Sequence, residues 1–252
     1  MHGNKWLSYG ELAWTETILA SPEAQAKETG HYVDLLREHG GTGIRTLLHL
    51  GCGAGGNDFT FKKHFRVTGV DISEGMLEIA RRTNPEVTYV HGDMRSIDLT
   101  ERFDAVAIPD AIDYMVTLQE LHRAIAVACR HLKPGGVLLI VAKTREEFRE
   151  NNLCYTGTKG DIQITLFENN HIPPDNPSTY EATLVYLIRN QGRLSIHTNR
   201  HTLGLFGQQE WLAALTDAGL EVRQAGLDGL YDPFILGEGA YPMRAFLGIK
   251  PA

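Results

Sequence analysis

The chain has 252 residues, 42% of them hydrophobic, and carries a formal net charge of -7 with a pI near 5.9. The acidic balance argues against nucleic-acid binding, because no excess of Lys and Arg is present to neutralise phosphates. No apolar run approaches the roughly 18 residues of a membrane span, and the N-terminus lacks the apolar stretch of a signal peptide. The three cysteines are isolated, so we expect a cytoplasmic protein without a metal site.

Two helices are predicted before the first strand, over residues 8–20 and 22–39. The second follows Ser21, which suits an N-cap, and Pro22 takes the first helical position. From residue 46 onwards, short apolar strands alternate with helical segments, which predicts βαβ units and a parallel sheet. The predicted strands span 46–50, 66–71, 87–91, 103–108 and 137–142, and the predicted helices span 74–83 and 117–131.

The pattern changes after residue 142. Three segments rich in Thr, Tyr, Ile and Val, at 161–168, 180–189 and 193–201, predict an antiparallel β insertion over 143–204. A helix at 208–218 and strands at 220–226 and 243–250 then complete the core over 205–252. The predicted fold is α/β: a Rossmann-like, doubly wound, mostly parallel seven-stranded sheet with N-terminal helices and an antiparallel insertion after the fifth core strand.

A glycine-rich turn follows the first predicted strand. Gly51, Gly53 and Gly55 allow the backbone to turn sharply and to approach a ligand closely. The helix that follows would then point free N–H groups at an electron-rich ligand. Gly51, Gly53 and Gly56 also match G-x-G-x-x-G, so a dinucleotide is an alternative ligand, and close packing without any ligand is another.

Two acidic residues follow the next two strands. Asp71 ends the second predicted strand, where a carboxylate can accept both ribose hydroxyls of an adenosine. Its alternative role is to cap the next helix, for which Ser73 is better suited. Asp93 follows Gly92 after the third strand, a carboxylate that a dinucleotide site would leave unused.

The order of the motifs GCGAG, VDIS, GDM, FDAV and LKPGG resembles the class I S-adenosylmethionine (SAM)-dependent methyltransferases over residues 45–142. The chain is similar to bacterial small-molecule methyltransferases and, more distantly, to sugar N,N-dimethyltransferases. The resemblance implies a SAM-binding core over 43–142 and SAM as the cofactor. Similar enzymes fold their first helices over the cofactor, which implies that residues 1–42 form a helical lid. The insertion would serve as a further lid or as the contact surface of a homodimer.

The resemblance also implies roles for individual residues. Gly51, Gly53 and Gly55 would approach the methionine part of SAM, and Asp71 would hold the ribose. In the same way, Asp93 would bind the adenine amino group. Three further cofactor contacts are implied, from Ile72 and Met94 on the two faces of the adenine and from Pro109.

His49 departs from the family pattern. The family usually has an acidic residue two positions before the first glycine, and this acid helps to orient the methionine end of the cofactor. We interpret His49 as a buried, hydrogen-bonded structural histidine. Asp58, or carbonyl groups after the fourth strand, are alternatives for contacting the ammonium group of the cofactor.

The segment after the fourth strand is expected to border the methyl group, because ligands of open α/β sheets bind beyond the carboxyl ends of the strands. Asp110 and Asp113 would line the acceptor channel or start the next helix. Tyr114 is the first candidate for a catalytic residue, because small-molecule N-methyltransferases that resemble this chain often have Tyr or His there.

Three residues outside the core are further candidates. Tyr9 and Trp14 lie in the predicted lid, where Tyr9 would contact SAM and Trp14 would contact the substrate or only pack. His201 ends a strand of the insertion and could act as a general base near neutral pH.

The sequence therefore predicts a SAM-dependent methyltransferase that moves a methyl group to a nitrogen or oxygen atom of a small-molecule acceptor by in-line displacement. One alternative is an NAD(P)-dependent oxidoreductase, which would explain Asp71 and the glycines but not Asp93. The other is a non-catalytic SAM-binding protein.

Overall fold

A computed structural model describes residues 7–40, 43–227 and 229–252. The first six residues and residues 41–42 of the predicted lid therefore lie outside the described residues. No helix in the described part of the chain combines the length and the apolar character needed to cross a membrane.

Seven strands form one sheet. They are β1 Thr46–Leu50, β2 Arg66–Asp71, β3 Thr88–His91, β4 Phe103–Pro109, β5 Leu132–Ala142, β10 Glu221–Gly226 and β11 Arg244–Ile249. Their order is β10-β11-β5-β4-β1-β2-β3, and only β11 pairs antiparallel, with β5 and β10. The predicted mostly parallel, seven-stranded α/β sheet is confirmed. Because β1 and β4 are neighbours, the segments that follow them meet at one edge of the sheet.

Helices cover both faces of this sheet, as a doubly wound fold requires. They are α2 Pro22–Gly40, α3 Asp58–Phe61, α4 Glu74–Thr83, α5 Leu118–His131 and α6 Gln208–Asp217. Ser73 and Thr117 start α4 and α5, since each side-chain hydroxyl accepts a hydrogen bond from a backbone N–H three residues later. One apolar cluster packs α5 and α6 against the sheet, and a second packs α2 against the opposite face.

The predicted helix over 8–20 is wrong. Two short 3-10 turns, Leu7–Tyr9 and Ala13–Thr15, precede a single-turn helix, α1 Glu16–Leu19. Gly10 disfavours a continuous helix at this point. In addition, the backbone carbonyl of Tyr9 accepts a hydrogen bond from the Ser73 hydroxyl at 2.7 Å. A tertiary contact therefore helps to hold this segment in its non-helical course.

The insertion contains four strands, whereas the sequence predicted three. They are β6 Asn152–Lys159, β7 Ile162–His171, β8 Thr179–Asn190 and β9 Arg193–Gly204, all antiparallel in this order. The strand β6 was missed because its sequence contains a glycine and lacks a strong apolar alternation. One apolar face of this sheet packs on Leu12 of the N-terminal segment. The next residue of that segment, Ala13, packs on α4.

Candidate active site

A cavity of about 920 Å³ opens beyond the carboxyl ends of β1, β2 and β4. The N-terminal segment and the insertion sheet contribute its other walls. Most of the residues predicted for the site line this cavity. They are Tyr9, Gly51, Gly53, Asp71, Ile72, Asp93, Met94, Pro109, Asp110, Asp113 and Tyr114.

Three predicted residues do not line the cavity. Gly55 instead faces Asn84 and Tyr89, and the neighbouring Gly56 reaches the cavity. Trp14 lies at the surface, where 37% of it is exposed. His201 is buried behind the cavity wall, although it remains linked to the cavity through its hydrogen bonds.

The glycine loop is held in shape by Asp71. Gly51 adopts a φ of 73°, and a Cβ atom on it would lie only 2.2 Å from the Cβ of Ala111, so no larger residue fits. The Asp71 carboxylate accepts the N–H groups of Gly53 and Ser73, both at 2.8 Å. Burial raises the pKa of this carboxyl, and these two N–H groups oppose that shift. The remaining lone pairs of the carboxylate can accept ligand hydroxyls.

The side of the cavity predicted to hold adenine has an apolar and an acidic component. Ile72 and Met94 line it, and 54% of Ile72 is exposed. Asp93 is held by Arg95, whose Nε lies 3.0 Å from both carboxylate oxygens. Arg95 also pairs with Glu120 at 2.6 Å. The Arg95 guanidinium lowers the pKa of Asp93, so this side chain is an ionised hydrogen-bond acceptor.

The structure brings together Tyr9, Tyr114 and His201, which are far apart in the sequence. The Tyr114 hydroxyl lies 2.5 Å from the Tyr9 hydroxyl and 2.8 Å from Nδ1 of His201. The Asn199 amide donates to Nε2 of His201 at 2.9 Å and to the Ser8 hydroxyl at 3.0 Å. Burial lowers the pKa of His201 to about 4, so its ring is neutral at physiological pH.

The Asn199 contact fixes the direction of the hydrogen bond between His201 and Tyr114. Because Nε2 of His201 accepts from Asn199, the proton of the neutral ring is on Nδ1 and is donated to Tyr114. The Tyr114 and Tyr9 hydroxyls share a second hydrogen bond. His201 therefore positions the Tyr114 hydroxyl, which is the member of this pair that lines the cavity.

The other end of the cavity is rich in carboxyl groups. Asp113 forms a buried ion pair with Lys143, with Oδ2 and Nζ 3.0 Å apart, and its Oδ2 also accepts from the Tyr180 hydroxyl at 3.3 Å. Oδ1 of Asp113 has no hydrogen-bond partner among the described residues. Burial raises the pKa of Asp113 to about 6 although the Lys143 charge opposes the shift.

Two further carboxyl groups line the same region. Asp110 has a φ of 56°, an uncommon value for a residue other than glycine, and its Oδ2 lies 3.2 Å from the Tyr231 hydroxyl. Glu168 accepts from the Asn170 amide at 2.9 Å. Burial raises the pKa of both carboxyls, and the Lys143 charge opposes the shift in each.

Sequence analysis missed several residues of this acidic end. They are Lys143, Tyr155, Glu168, Tyr180, Tyr231 and Tyr241. Lys143 follows β5 directly, so the rule that pointed to Asp110 after β4 could have found it. The others come from the insertion and from the segment before β11, which carry no recognisable motif.

The residues present fit the expected cofactor. The glycine loop leaves room that a Cβ atom would fill, and Asp71 lines the cavity beside it. Two lining residues also carry a buried acceptor atom that has no partner among the described residues. These atoms are Nε2 of His49 and Oε1 of Gln25. A ligand with hydroxyl and ammonium donors satisfies this set of acceptors.

Comparisons with known proteins identify the family. Residues 47–136 match the family model described as a methyltransferase domain. The dTDP-3-amino-3,4,6-trideoxy-alpha-D-glucopyranose N,N-dimethyltransferase of Streptomyces venezuelae is 31% identical over 79% of this chain and 84% of that protein. The crystal structure of DesVI from Streptomyces venezuelae, 27% identical, superposes with a TM-score of 0.77 over 90% of this chain and 92% of that chain.

A SAM-bound structure supports the fold as well. The amino pentose methyltransferase CalS10 of Micromonospora echinaspora is 24% identical and superposes with a TM-score of 0.73, over 89% of this chain and 90% of that chain. The NAD(P)-dependent alternative has no support from these relatives. The chain therefore belongs to the class I SAM-dependent methyltransferases, and it is an enzyme that uses SAM as its methyl donor.

Proposed function

We propose that this enzyme methylates the amine nitrogen of a small, hydroxyl-rich acceptor of the amino-sugar class. The observation that carries the proposal is the acidic end of the cavity, where Asp113 pairs with Lys143 and the carboxyls of Asp110 and Glu168 interact electrostatically with the same ammonium. A protonated amine is attracted to such a group of carboxyls, and it supplies donors for the unpartnered Oδ1 of Asp113. The relatives named as amino-sugar N,N-dimethyltransferases support the same acceptor chemistry.

The charges of the cavity favour an amine over a phosphate as the charged group of the acceptor. Two cationic side chains, Arg95 and Lys143, are found among the described lining residues. Arg95 already pairs with Asp93 and Glu120, and Lys143 already pairs with Asp113. A diphosphate inside the cavity would compete with these carboxylates, so we place the amine of the acceptor there.

The reaction requires a neutral, aligned amine. Bound SAM supplies a methyl group on a positively charged sulfur, which is a good leaving group. Asp113, whose pKa is raised to about 6, can accept the proton that the ammonium form must lose before it attacks. The carboxyls of Asp110 and Glu168 extend this acceptor capacity.

We expect Tyr114 to orient the nucleophile. Its hydroxyl lies between the His201 ring and the Tyr9 hydroxyl, and the bound acceptor would direct an N–H at the Tyr114 oxygen. An amine held by its N–H keeps its own lone pair directed elsewhere, towards the methyl group. Alignment of this kind supplies a large share of the rate.

Methyl transfer to matched pairs of acceptors tests the proposal. The enzyme is incubated with SAM labelled in its methyl group and with amino sugars, each beside the sugar that has a hydroxyl in place of the amine. We expect label on nitrogen in the amino sugars and none in their hydroxyl partners. Transfer to the hydroxyl compounds at a comparable rate would contradict an amine acceptor.

A further inference from the structure

His49 differs from the other fully buried histidines of the described chain. His131 uses both ring nitrogens, with Nδ1 2.8 Å from the Val127 carbonyl and Nε2 accepting the Leu99 N–H at 2.8 Å. His201 likewise has partners at both nitrogens. His49 is only 1% exposed, and its Nε2 has no hydrogen-bond partner among the described residues.

The other nitrogen of His49 is held by a carboxylate. Nδ1 lies 2.7 Å from Oδ1 of Asp58, which is completely buried, and Oδ2 of Asp58 accepts from the Tyr89 hydroxyl at 2.9 Å. The contact is that of an Nδ1–H donated to a carboxyl oxygen, which leaves Nε2 as the acceptor nitrogen of the ring.

The residue that carries this acceptor lines the cavity. His49 lines it together with the glycine loop, and so does Gln25, whose Oε1 also has no partner among the described residues. Gln25 lies directly against Gly56, because a Cβ atom on that glycine would be 1.8 Å from Oε1. A buried acceptor without a donor costs free energy, which a ligand with the matching donors recovers.

The polar groups of the pair define the ligand. Nε2 of His49 is an acceptor without a donor, and no Lys or Arg of the described residues pairs with Asp58. The group that complements this site has several N–H donors. SAM has one such group, the ammonium of its methionine part, which also provides three donors for more than one acceptor.

We propose that Nε2 of His49 accepts a hydrogen bond from the methionine ammonium of SAM, and that Asp58 is a positioning residue that holds the ring in the required tautomer. The proposal rests on the cofactor assignment and does not depend on the identity of the acceptor.

Calorimetry with two ligands tests this role. The ligands are S-adenosylhomocysteine and its deaminated analogue, which has hydrogen in place of the ammonium group. A charge-assisted hydrogen bond should make the wild-type protein prefer S-adenosylhomocysteine by about tenfold or more. In His49→Leu we expect this preference to fall to about twofold, because only the ammonium ligand loses a contact. His49→Gln should recover part of it, since the Gln oxygen extends towards the position of Nε2.

His131→Leu is the matched control, a buried histidine away from the cavity, and it should keep the wild-type preference. An unchanged preference in His49→Leu, or equal weakening of both ligands, would overturn the proposal. Because no acceptor is present, failure of the amine-acceptor proposal would leave this preference intact.

Nitrogen NMR of the wild-type protein keeps the proposal testable if His49→Leu does not fold. We expect an Nδ1-protonated, neutral His49 whose Nε2 resonance shifts with S-adenosylhomocysteine and not with the deaminated analogue. A proton on Nε2 in the complex, or equal shifts with both ligands, would contradict an acceptor role.

Discussion

Asp71 combines a structural and a binding role in one carboxylate. It accepts hydrogen bonds from two backbone N–H groups, which shape the glycine loop. It also lines the cavity, where its remaining lone pairs can accept hydroxyl groups of a ligand. The sequence alone pointed to Asp71, because its place after a strand and its distance from Gly51 form a recognisable pattern. Its hydrogen bonds to Gly53 and Ser73 depend on the folded loop.

Removing the Asp71 carboxylate should weaken the cofactor site. Charge-assisted bonds to the ribose hydroxyls contribute about 1.5–3 kcal/mol, so Asp71→Ala should bind SAM and S-adenosylhomocysteine about tenfold or more weakly. Isothermal titration calorimetry measures this change. Asp98→Ala, which alters an exposed acid away from the cavity, is the control. Unchanged affinity in Asp71→Ala would rule out the ribose contact.

Tyr114 should affect the rate more than cofactor binding. Tyr114→Phe removes the hydroxyl that links His201 to Tyr9 and that we propose holds the acceptor. We expect kcat to fall about tenfold to a hundredfold, with little change in the affinity for S-adenosylhomocysteine. His201→Ala should have a smaller effect for an amine acceptor, because His201 acts through Tyr114. Wild-type turnover in Tyr114→Phe would show that the hydroxyl has no part in the reaction.

The neutral ring of His201 makes stability depend on pH. The unfolded chain takes up a proton on this histidine near its ordinary pKa, whereas the folded chain does so only near pH 4. Between these values the unfolded state binds more protons, so the free energy of unfolding falls as the pH is lowered.

From pH 7 to about pH 4.5 the His201 contribution amounts to about 2 kcal/mol. Denaturant unfolding at both pH values should therefore show a smaller pH dependence in His201→Gln than in the wild type. His122→Gln, a change of an exposed histidine on α5, should behave like the wild type. Equal pH dependence in all three proteins would mean that His201 is not held neutral.

The acidic end of the site shows where residue-level prediction from sequence stops. Asp110 and Asp113 were found because they follow a core strand. Glu168 and Tyr180 come from β7 and β8, and they reach the cavity only through the register of the insertion sheet. Nothing local in their sequence marks them, since strand alternation gives the face of a residue and not its distant neighbours.

At the scale of elements, the N-terminal segment depends on the insertion sheet. Leu12 packs in one apolar cluster with Ile164, Tyr186 and other residues of β7 and β8. Gly157 of β6 allows the close approach of α1, because a Cβ atom there would lie 2.3 Å from the Ile18 carbonyl oxygen. The N-terminal segment and the insertion sheet thus pack against each other, a contact that the sequence did not indicate. That the insertion forms a homodimer contact stays a prediction.

Gly157→Ala should displace the N-terminal segment. The added methyl group clashes with the α1 backbone, and overpacking of this kind costs on the order of 1–3 kcal/mol. We expect faster proteolysis within residues 7–20 and several-fold weaker binding of S-adenosylhomocysteine, because Tyr9 would move with α1. Gly30→Ala is the matched control, since a Cβ atom there meets nothing within 4 Å. Equal proteolysis of both variants would contradict this dependence.

At the scale of the whole molecule, the core sheet could be predicted more completely than the N-terminal segment and the insertion sheet that are added to it. The seven-stranded sheet followed from alternating strands and helices, because each βαβ unit is a local pattern. The broken N-terminal segment was missed because a tertiary contact holds the Tyr9 backbone, and strand β6 was missed because its sequence lacks a strong apolar alternation. The acceptor end of the cavity lies where these additions meet the core, so its chemistry became visible only in the folded chain.

A crystal structure of the protein with S-adenosylhomocysteine and an N-methylated amino-sugar product tests the central claim most directly. The account predicts the adenine between Ile72 and Met94, the ribose on Asp71, and the product nitrogen beside the Tyr114 hydroxyl and the Asp113 carboxylate. A product that turns its amine away from Asp113 and places a ring hydroxyl beside Tyr114 would contradict it.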